Sequence, residues 1–101
     1  MEINVTEAEN RATIALKGRF DFQAHQEFRR AIDALVRSGR ALLTVDLSQV
    51  NFIDSSALGL LLLARENCEK AGGSVILNQP KDYVDKVLKL CHFDQLFQVQ
   101  R

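Results

Sequence analysis

Three consecutive polar residues, Asp54, Ser55 and Ser56, separate a strand-like apolar run from a leucine-rich run, and they are the residues best suited to chemistry. Asp and Ser are preferred caps for the free N–H groups at the start of a helix, where a cap contributes about 0.5–2 kcal/mol. A serine hydroxyl is also a phosphate acceptor, and a phosphate adds roughly −1.5 to −2 charges. The tripeptide is therefore interpreted as a helix cap, as a regulated hydroxyl at Ser55, or as both.

The charges around the serines favour a regulatory role. No Lys or Arg lies between Arg40 and Arg65, and the formal charges in that interval are those of Asp46 and Asp54. A phosphate on Ser55 would find no cation nearby in the sequence, although the helix start would tolerate the new anion. We therefore expect phosphorylation to spare the fold and to expel a docked apolar partner, because an unpaired buried charge is costly.

The helix that follows carries leucines on more than one face, and a domain of this size rarely encloses an outer helix on every side. We therefore predict an exposed leucine surface that binds a partner. The alternative is a helix wholly enclosed by its own fold. The residues predicted to contact the partner near the helix start are Asp54, Ser56, Leu58, Leu61 and Leu62.

An enzyme would need a constellation of reactive groups that the sequence does not supply. His25 and His92 have no HxxxH spacing or acidic neighbours suited to a metal, and no glycine-rich phosphate loop is present. A nucleophile elbow at Ser55 would need glycines where Ile53 and Ala57 stand. We expect no catalytic residue, metal site or cofactor, and neither a hydrolase nor a nucleotide-binding protein.

Hydrophobic periodicity predicts the elements that position these residues. Alternation around Ile3–Val5 and Ala12–Leu16 indicates an opening antiparallel hairpin. Apolar residues from Phe28 to Val36 recur at helical spacing before Gly39. Leu42–Leu47 is then predicted as a central strand buried on both faces, followed by a polar turn.

The rest of the chain alternates in the same way. The predicted elements are a helix from Ser55 or Ser56 to about Ala71 that stops at Gly72-Gly73, a strand at Val75–Leu77, a helix opened by Pro80, and a last strand with Phe97 and Val99. Such alternation favours an α/β fold with a mixed sheet and helical crossovers.

Length and composition narrow the class of protein. A chain of 101 residues, 47% hydrophobic, is sized for one domain, here 1–101. Thirteen basic and thirteen acidic residues give a net charge of zero, so no nucleic-acid partner is expected. No apolar run is long enough for a membrane span, and a cytoplasmic location is expected. Cys68 and Cys91 are predicted to be small core residues, and the chain to be a monomer or weak dimer.

With these residues in view, the chain resembles the STAS domain family, specifically the short anti-sigma factor antagonists of bacterial partner switching. The resemblance rests on GRFDF, VDLSQVNFIDSSALGLLL, AGGSVIL and LCHFDQLF. It implies a sheet covered by helices and phosphorylation at Ser55, with Ser56 structural. Ala57 departs from the glycine of many relatives. Asp21 of GRFDF is a further candidate for partner contact, or an N-cap of the first helix.

The resemblance also implies a cycle. The unphosphorylated protein binds an anti-sigma factor that is a serine kinase and so releases a sigma factor or other client; a serine phosphatase resets it. The alternative is a constitutive STAS-like structural subunit of a phospholipid transport ATPase complex, which docks without a switch. Both serines are present here, which favours the switch.

Overall fold

In a computed structural model that describes residues 1–101, five strands form a single sheet in chain order. The first two strands are antiparallel and every later neighbour is parallel, which confirms the predicted hairpin and mixed sheet. The strands are β1 (Glu2–Ala8), β2 (Arg11–Phe20), β3 (Leu42–Ile53), β4 (Ser74–Asn78) and β5 (Gln98–Gln100).

Helices connect the parallel strands, as predicted. They are α1 (His25–Arg37), α2 (Ser55–Lys70) and α3 (Asp82–Leu90), with short 3-10 turns at Phe22–Ala24 and Phe93–Gln95. The apolar face of α1 buries Phe28, Ile32 and Leu35. None of the helices has the length and apolar content needed to cross a lipid bilayer.

The central strand β3 is buried on one face only, so the prediction of burial on both faces is wrong. Leu43, Val45 and Leu47 are buried, whereas Leu42 and Thr44 between them are only half-buried. The connections through α1 and α2 cross the sheet in the same direction, and right-handed connections of that kind place both helices on one face. The opposite face of the sheet is left without those helices.

The strand β3 also runs further than predicted, through the segment interpreted as a polar turn, to Ile53. Its pairing with β2 shifts register twice, because residues 46–53 of β3 lie against residues 15–20 of β2. These shifts are β-bulges, which break the period-two pattern that predicts strands. The Asp46 carboxylate supports the first bulge by accepting a hydrogen bond of 2.9 Å from the Ser48 N–H.

The second half of β3 has no strand on its β4 side, since β4 pairs only with Leu42–Asp46. The helix α3 packs there and buries Val84 and Leu88 completely. The two cysteines differ in burial. Cys68 is buried in α2, as predicted, and burial, together with the neighbouring Glu69 charge, raises the pKa of its thiol to about 11. Cys91, at the end of α3, is exposed, so its predicted core position is wrong.

Candidate functional site

Two aspartates are brought together where neighbouring parallel strands end. Phe20 of β2 is in register with Ile53 of β3, and the next residues along the chain are Asp21 and Asp54. The Asp54 N–H donates a hydrogen bond of 3.3 Å to the Phe20 carbonyl oxygen, which ties the two chain segments at this point. The carboxyl edge of the sheet therefore places the Asp21 turn beside the start of α2.

Asp54 caps α2. Its backbone is extended, and its carboxylate accepts a hydrogen bond of 2.9 Å from the Ala57 N–H. Ala57 is completely buried beneath this turn. The cap fixes where the helix begins, so that Ser55 is its first residue.

The two serines differ in exposure. Ser55 is exposed and Ser56 is half-buried. The capping contact uses the Asp54 carboxylate and leaves the Ser55 hydroxyl out of it. Ser55 therefore stands at the amino end of α2, where free N–H groups and the helix dipole favour an anion.

The three candidate leucines are placed in three different ways. Leu61 is fully buried at 0% exposure, so its predicted contact with a partner is wrong: it points from α2 into the core. Leu58 is half-buried and packs against the core, and Leu62 is 38% exposed. The exposed stripe of α2 is narrower than predicted and runs through Ser55, Gly59, Leu62 and Glu66.

Asp21 caps the 3-10 turn that precedes α1. Its carboxylate accepts a hydrogen bond of 3.0 Å from the Gln23 N–H and lies 3.6 Å from the Arg19 guanidinium. Asp21 is therefore an N-cap, but of the 3-10 turn and not of α1 as predicted, because α1 is preceded by Ala24, which makes no side-chain capping bond. Asp21 is half-buried and remains reachable from solvent.

Arg19, the residue before Phe20 in β2, is the basic residue of the paired strands nearest to this edge of the sheet. Its side chain already contacts other residues of the chain. Its guanidinium lies 4.0 Å from the centre of the Phe52 ring, which in turn stacks on Tyr83 at 5.8 Å. Phe20 packs on Phe28 of α1, so Arg19, its neighbour in the strand, points to the other face of the sheet. No ion pair is formed by Asp54.

Sequence reasoning missed two exposed residues, one in the 3-10 turn that contacts α2 and one within α2 itself. Phe22 follows Asp21 and is 69% exposed, its ring 6.0 Å from that of His25. Gly59 lies one turn after Ser55 in α2. A large apolar residue directly after a capping Asp, and a glycine inside a leucine-rich helix, were the available signals for these two positions.

Comparison with known proteins identifies the family of the chain. Residues 3–99 match the family model described as "Mlab, STAS domain". The chain belongs to the STAS domain family. A STAS-domain containing protein of Pseudomonas aeruginosa (strain UCBPP-PA14) is 40% identical over 87 residues, which cover 86% of this chain and 85% of the relative.

Solved STAS structures share the fold. A putative anti-sigma factor antagonist from Thermotoga maritima superimposes with a TM-score of 0.90 at 20% identity, over 98% of this chain and 86% of that one. The unphosphorylated form of the anti-sigma factor antagonist SpoIIAA gives 0.85 at 22% identity, over 99% and 89% of the two chains. SpoIIAA in its phosphorylated form, named as a Bacillus cell fate determinant, gives 0.78 at 22% identity, over 99% and 92%.

Proposed function

We propose that this STAS protein is an anti-sigma factor antagonist controlled by phosphorylation of Ser55. In its unphosphorylated form it binds an anti-sigma factor that is also a serine kinase, and so releases a sigma factor or another client. A serine phosphatase reverses the modification. The observation that carries the proposal is the exposed Ser55 hydroxyl, set at the first position of a helix whose cap is provided by Asp54.

A phosphate at this position would act on the partner and spare the fold. The start of α2 is held by the Asp54 carboxylate, so the Ser55 side chain is free to change. The phosphate would be accepted by the amino end of α2. In a closed complex the same charge would be buried without a cation from this chain, which destabilises the complex. A change of about 5.5 kcal/mol is enough to turn a 99:1 ratio of bound to free protein into 1:99.

The members of the family that share this fold give the proposal its context. SpoIIAA is an anti-sigma factor antagonist whose structure exists in unphosphorylated and phosphorylated forms. The fold of this chain is compatible with the same cycle, with ATP and catalysis supplied by the partner kinase. Ser56, which is half-buried, is assigned a structural role.

Intact mass of the protein purified from its native host tests the modification. We expect a species about 80 Da heavier, which Ser55→Ala abolishes and Ser56→Ala retains. The matched pair keeps the helix start and changes only which hydroxyl is present. A heavier species that survives Ser55→Ala and disappears with Ser56→Ala would move the site to Ser56.

Charge mimicry tests the consequence. Ser55→Asp should weaken binding to the cognate kinase while the thermal unfolding curve stays within a few degrees of the unmodified protein. Ser55→Thr serves as the control, because it retains a hydroxyl and adds no charge. Cooperative loss of structure in Ser55→Asp would instead identify Ser55 as a residue needed for folding.

The alternative function is a constitutive subunit of a phospholipid transport ATPase complex. One observation favours it: the description of the matched family model names Mlab and does not name the anti-sigma factor antagonists. Under this alternative the same helix start docks on an ATPase and no phosphate is added. A stable complex with an ATPase, unaffected by Ser55→Asp, would select it.

A further inference from the structure

The first strand of the sheet has an unpaired outer edge. β1 comes first in the order of the sheet, so its backbone pairs with β2 on one side only. Six of its seven residues are exposed, and it carries no proline, lysine or bulge, which are common means of keeping an edge from pairing with another strand. β5, at the opposite edge, has only three residues. The edge of β1 is therefore the one with room for a further strand.

The side chains of β1 divide between the two faces of the sheet. Val5 is in register with the buried Ile14, so it lies on the face that α1 and α2 cover, where it is 42% exposed. Glu2 and Ala8 lie on the opposite face, and Ala8 is in register with Arg11. Glu2 and Arg11 are exposed at opposite ends of the hairpin, and neither forms an ion pair within the chain. The edge thus presents an apolar centre and two unmatched opposite charges.

We infer that β1 is a dimer interface, at which it pairs in antiparallel orientation with β1 of a second copy of this chain. Full overlap of residues 2–8 with themselves places Val5 on the two-fold axis. The two Val5 side chains then face each other, and each covers the exposed surface of the other. The two five-stranded sheets become one continuous sheet.

The charges favour a second copy as the occupant of the edge. In this register Glu2 of one copy lies opposite Ala8 of the other, and Ala8 is flanked on its far side by Arg11. Antiparallel partners are about 4.5–5.5 Å apart, so the Cα atoms of Glu2 and Arg11 from different copies are about 10 Å apart. Only the Ala8 methyl group lies between them, and the long Glu and Arg side chains span that distance. The two-fold axis forms this ion pair twice.

The same register brings no like charges together. Glu7, the other acidic residue of β1, lies opposite Ile3 of the second copy and is already paired with Arg40 at 3.0 Å. A strand from an unrelated protein would need its own match to these side chains, whereas a second copy supplies the match by symmetry. One pair of seven-residue strands makes a small interface, so we expect a weak dimer with a Kd of about 10–500 µM.

Sedimentation equilibrium of the full chain, at concentrations up to about 1 mM, measures the association. We expect the mean mass to rise toward that of a dimer. Val5→Lys should raise the dimer Kd at least tenfold, because it places two lysines on the axis. Leu90→Lys is the matched control, since Leu90 is 70% exposed at the end of α3, and it should change the Kd less than twofold. Wild-type protein that stays monomeric at the highest concentration would overturn the inference and leave the edge to a strand from a different protein.

Exchange of the two charges tests the register. Glu2→Arg and Arg11→Glu should each raise the dimer Kd at least fivefold, because each places like charges together across the interface. The double variant should return to within twofold of wild type. Since Glu2 and Arg11 of one chain are at opposite ends of the hairpin, this rescue cannot arise within a monomer. Wild-type affinity in both single variants, or a double variant no better than they are, would contradict the pairing.

A cysteine on the axis gives a covalent readout. In a Cys91→Ser background, which removes the exposed native thiol, Val5→Cys should form a disulfide-linked dimer on mild oxidation, because antiparallel partners lie within the span of a disulfide. Ala8→Cys is the control, since its two copies would be roughly 20 Å apart and should remain monomeric. Equal crosslinking at both positions would count against the interface. The inference does not rest on the proposed function: Ser55 lies in α2, outside β1, so dimerisation and phosphorylation can each fail without the other.

Discussion

Two glycines near the ends of α2 differ in whether packing within the fold requires a glycine at that position. Gly59, near the amino end, faces open space. Gly73, just beyond the carboxyl end, is pressed against the next segment of chain, and a Cβ there would overlap the Ala41 carbonyl. Gly73 is explained by packing within the fold, whereas Gly59 is not. The space around a Cβ thus separates a glycine that packing requires from one that it does not.

The largest effect is expected at Gly73. Gly73→Ala should destabilise the protein by about 3 kcal/mol or more, because the backbone must move away from Ala41 and disturb the hydrogen bond of 3.0 Å from the Ser74 N–H to the Ala41 carbonyl oxygen. Urea unfolding measures the change. Gly59→Ala is the natural control, and the comparison would be broken if both variants shifted stability in the same direction.

A smaller effect is expected at the cap of α2. Asp54→Ala should lower the free energy of unfolding by about 0.5–2 kcal/mol, since the Ala57 N–H loses its acceptor, while Asp54→Asn should stay close to wild type. Asp21→Ala should cost less, because it caps a single 3-10 turn. Chemical denaturation of the four proteins tests this order. An Asp54→Ala variant as stable as wild type would show that the cap does not define the helix start.

The smallest effect is expected at Arg101, which follows β5. The Arg101 guanidinium donates hydrogen bonds of 2.7 Å to Asp85 and to Asp94, which joins β5 to α3 and the Phe93–Gln95 turn. Hydrogen bonding to Arg101 lowers the pKa of Asp94. Burial raises the pKa of Asp85, but its hydrogen bonds to Arg101 and Lys89 outweigh that contribution and lower it.

The sign of the pH dependence follows from these lowered pKa values. A carboxylate whose pKa falls on folding stabilises the protein above its unfolded value of 3.8 and loses that contribution as the pH drops through the folded value. Arg101→Gln should therefore be slightly less stable than wild type at pH 7, and the difference should vanish in acid. Thermal midpoints at pH 7 and pH 2.5 measure it. A difference that grows in acid would contradict the assignment.

Local pattern was enough to predict most of the fold. The hairpin, the crossover helices and the start of α2 follow from alternation, helical spacing and capping residues, each of which acts over a few neighbouring positions. The end of β3 could not be predicted from local pattern, because two bulges interrupt the alternation of its apolar residues. Burial of β3 on a single face depends on the direction of the crossovers, which is a property of the whole sheet.

The site was predictable to a lesser extent. Asp54 and Ser55 stand out because capping chemistry is local. Leu61 could not be told from Leu62 by residue type, since a helix with leucine at several consecutive positions gives no single apolar face; packing against the sheet buries Leu61. The contact of the Phe22–Ala24 turn with α2 depends on the pairing of β2 with β3, between residues that are more than thirty positions apart.

The bulges of β3 also bear on how related sequences should be aligned. Residues 46–53 of β3 pair with the shorter segment 15–20 of β2, because two residues of β3 have no partner in β2. Removing one of them would exchange the faces of Phe52 and Ile53 and rotate the residues after them. A gap placed within this strand therefore changes which side chains are assigned to each face of the sheet. Alignments anchored on Asp54 will identify the equivalent of Ser55 more faithfully than those anchored on Val45.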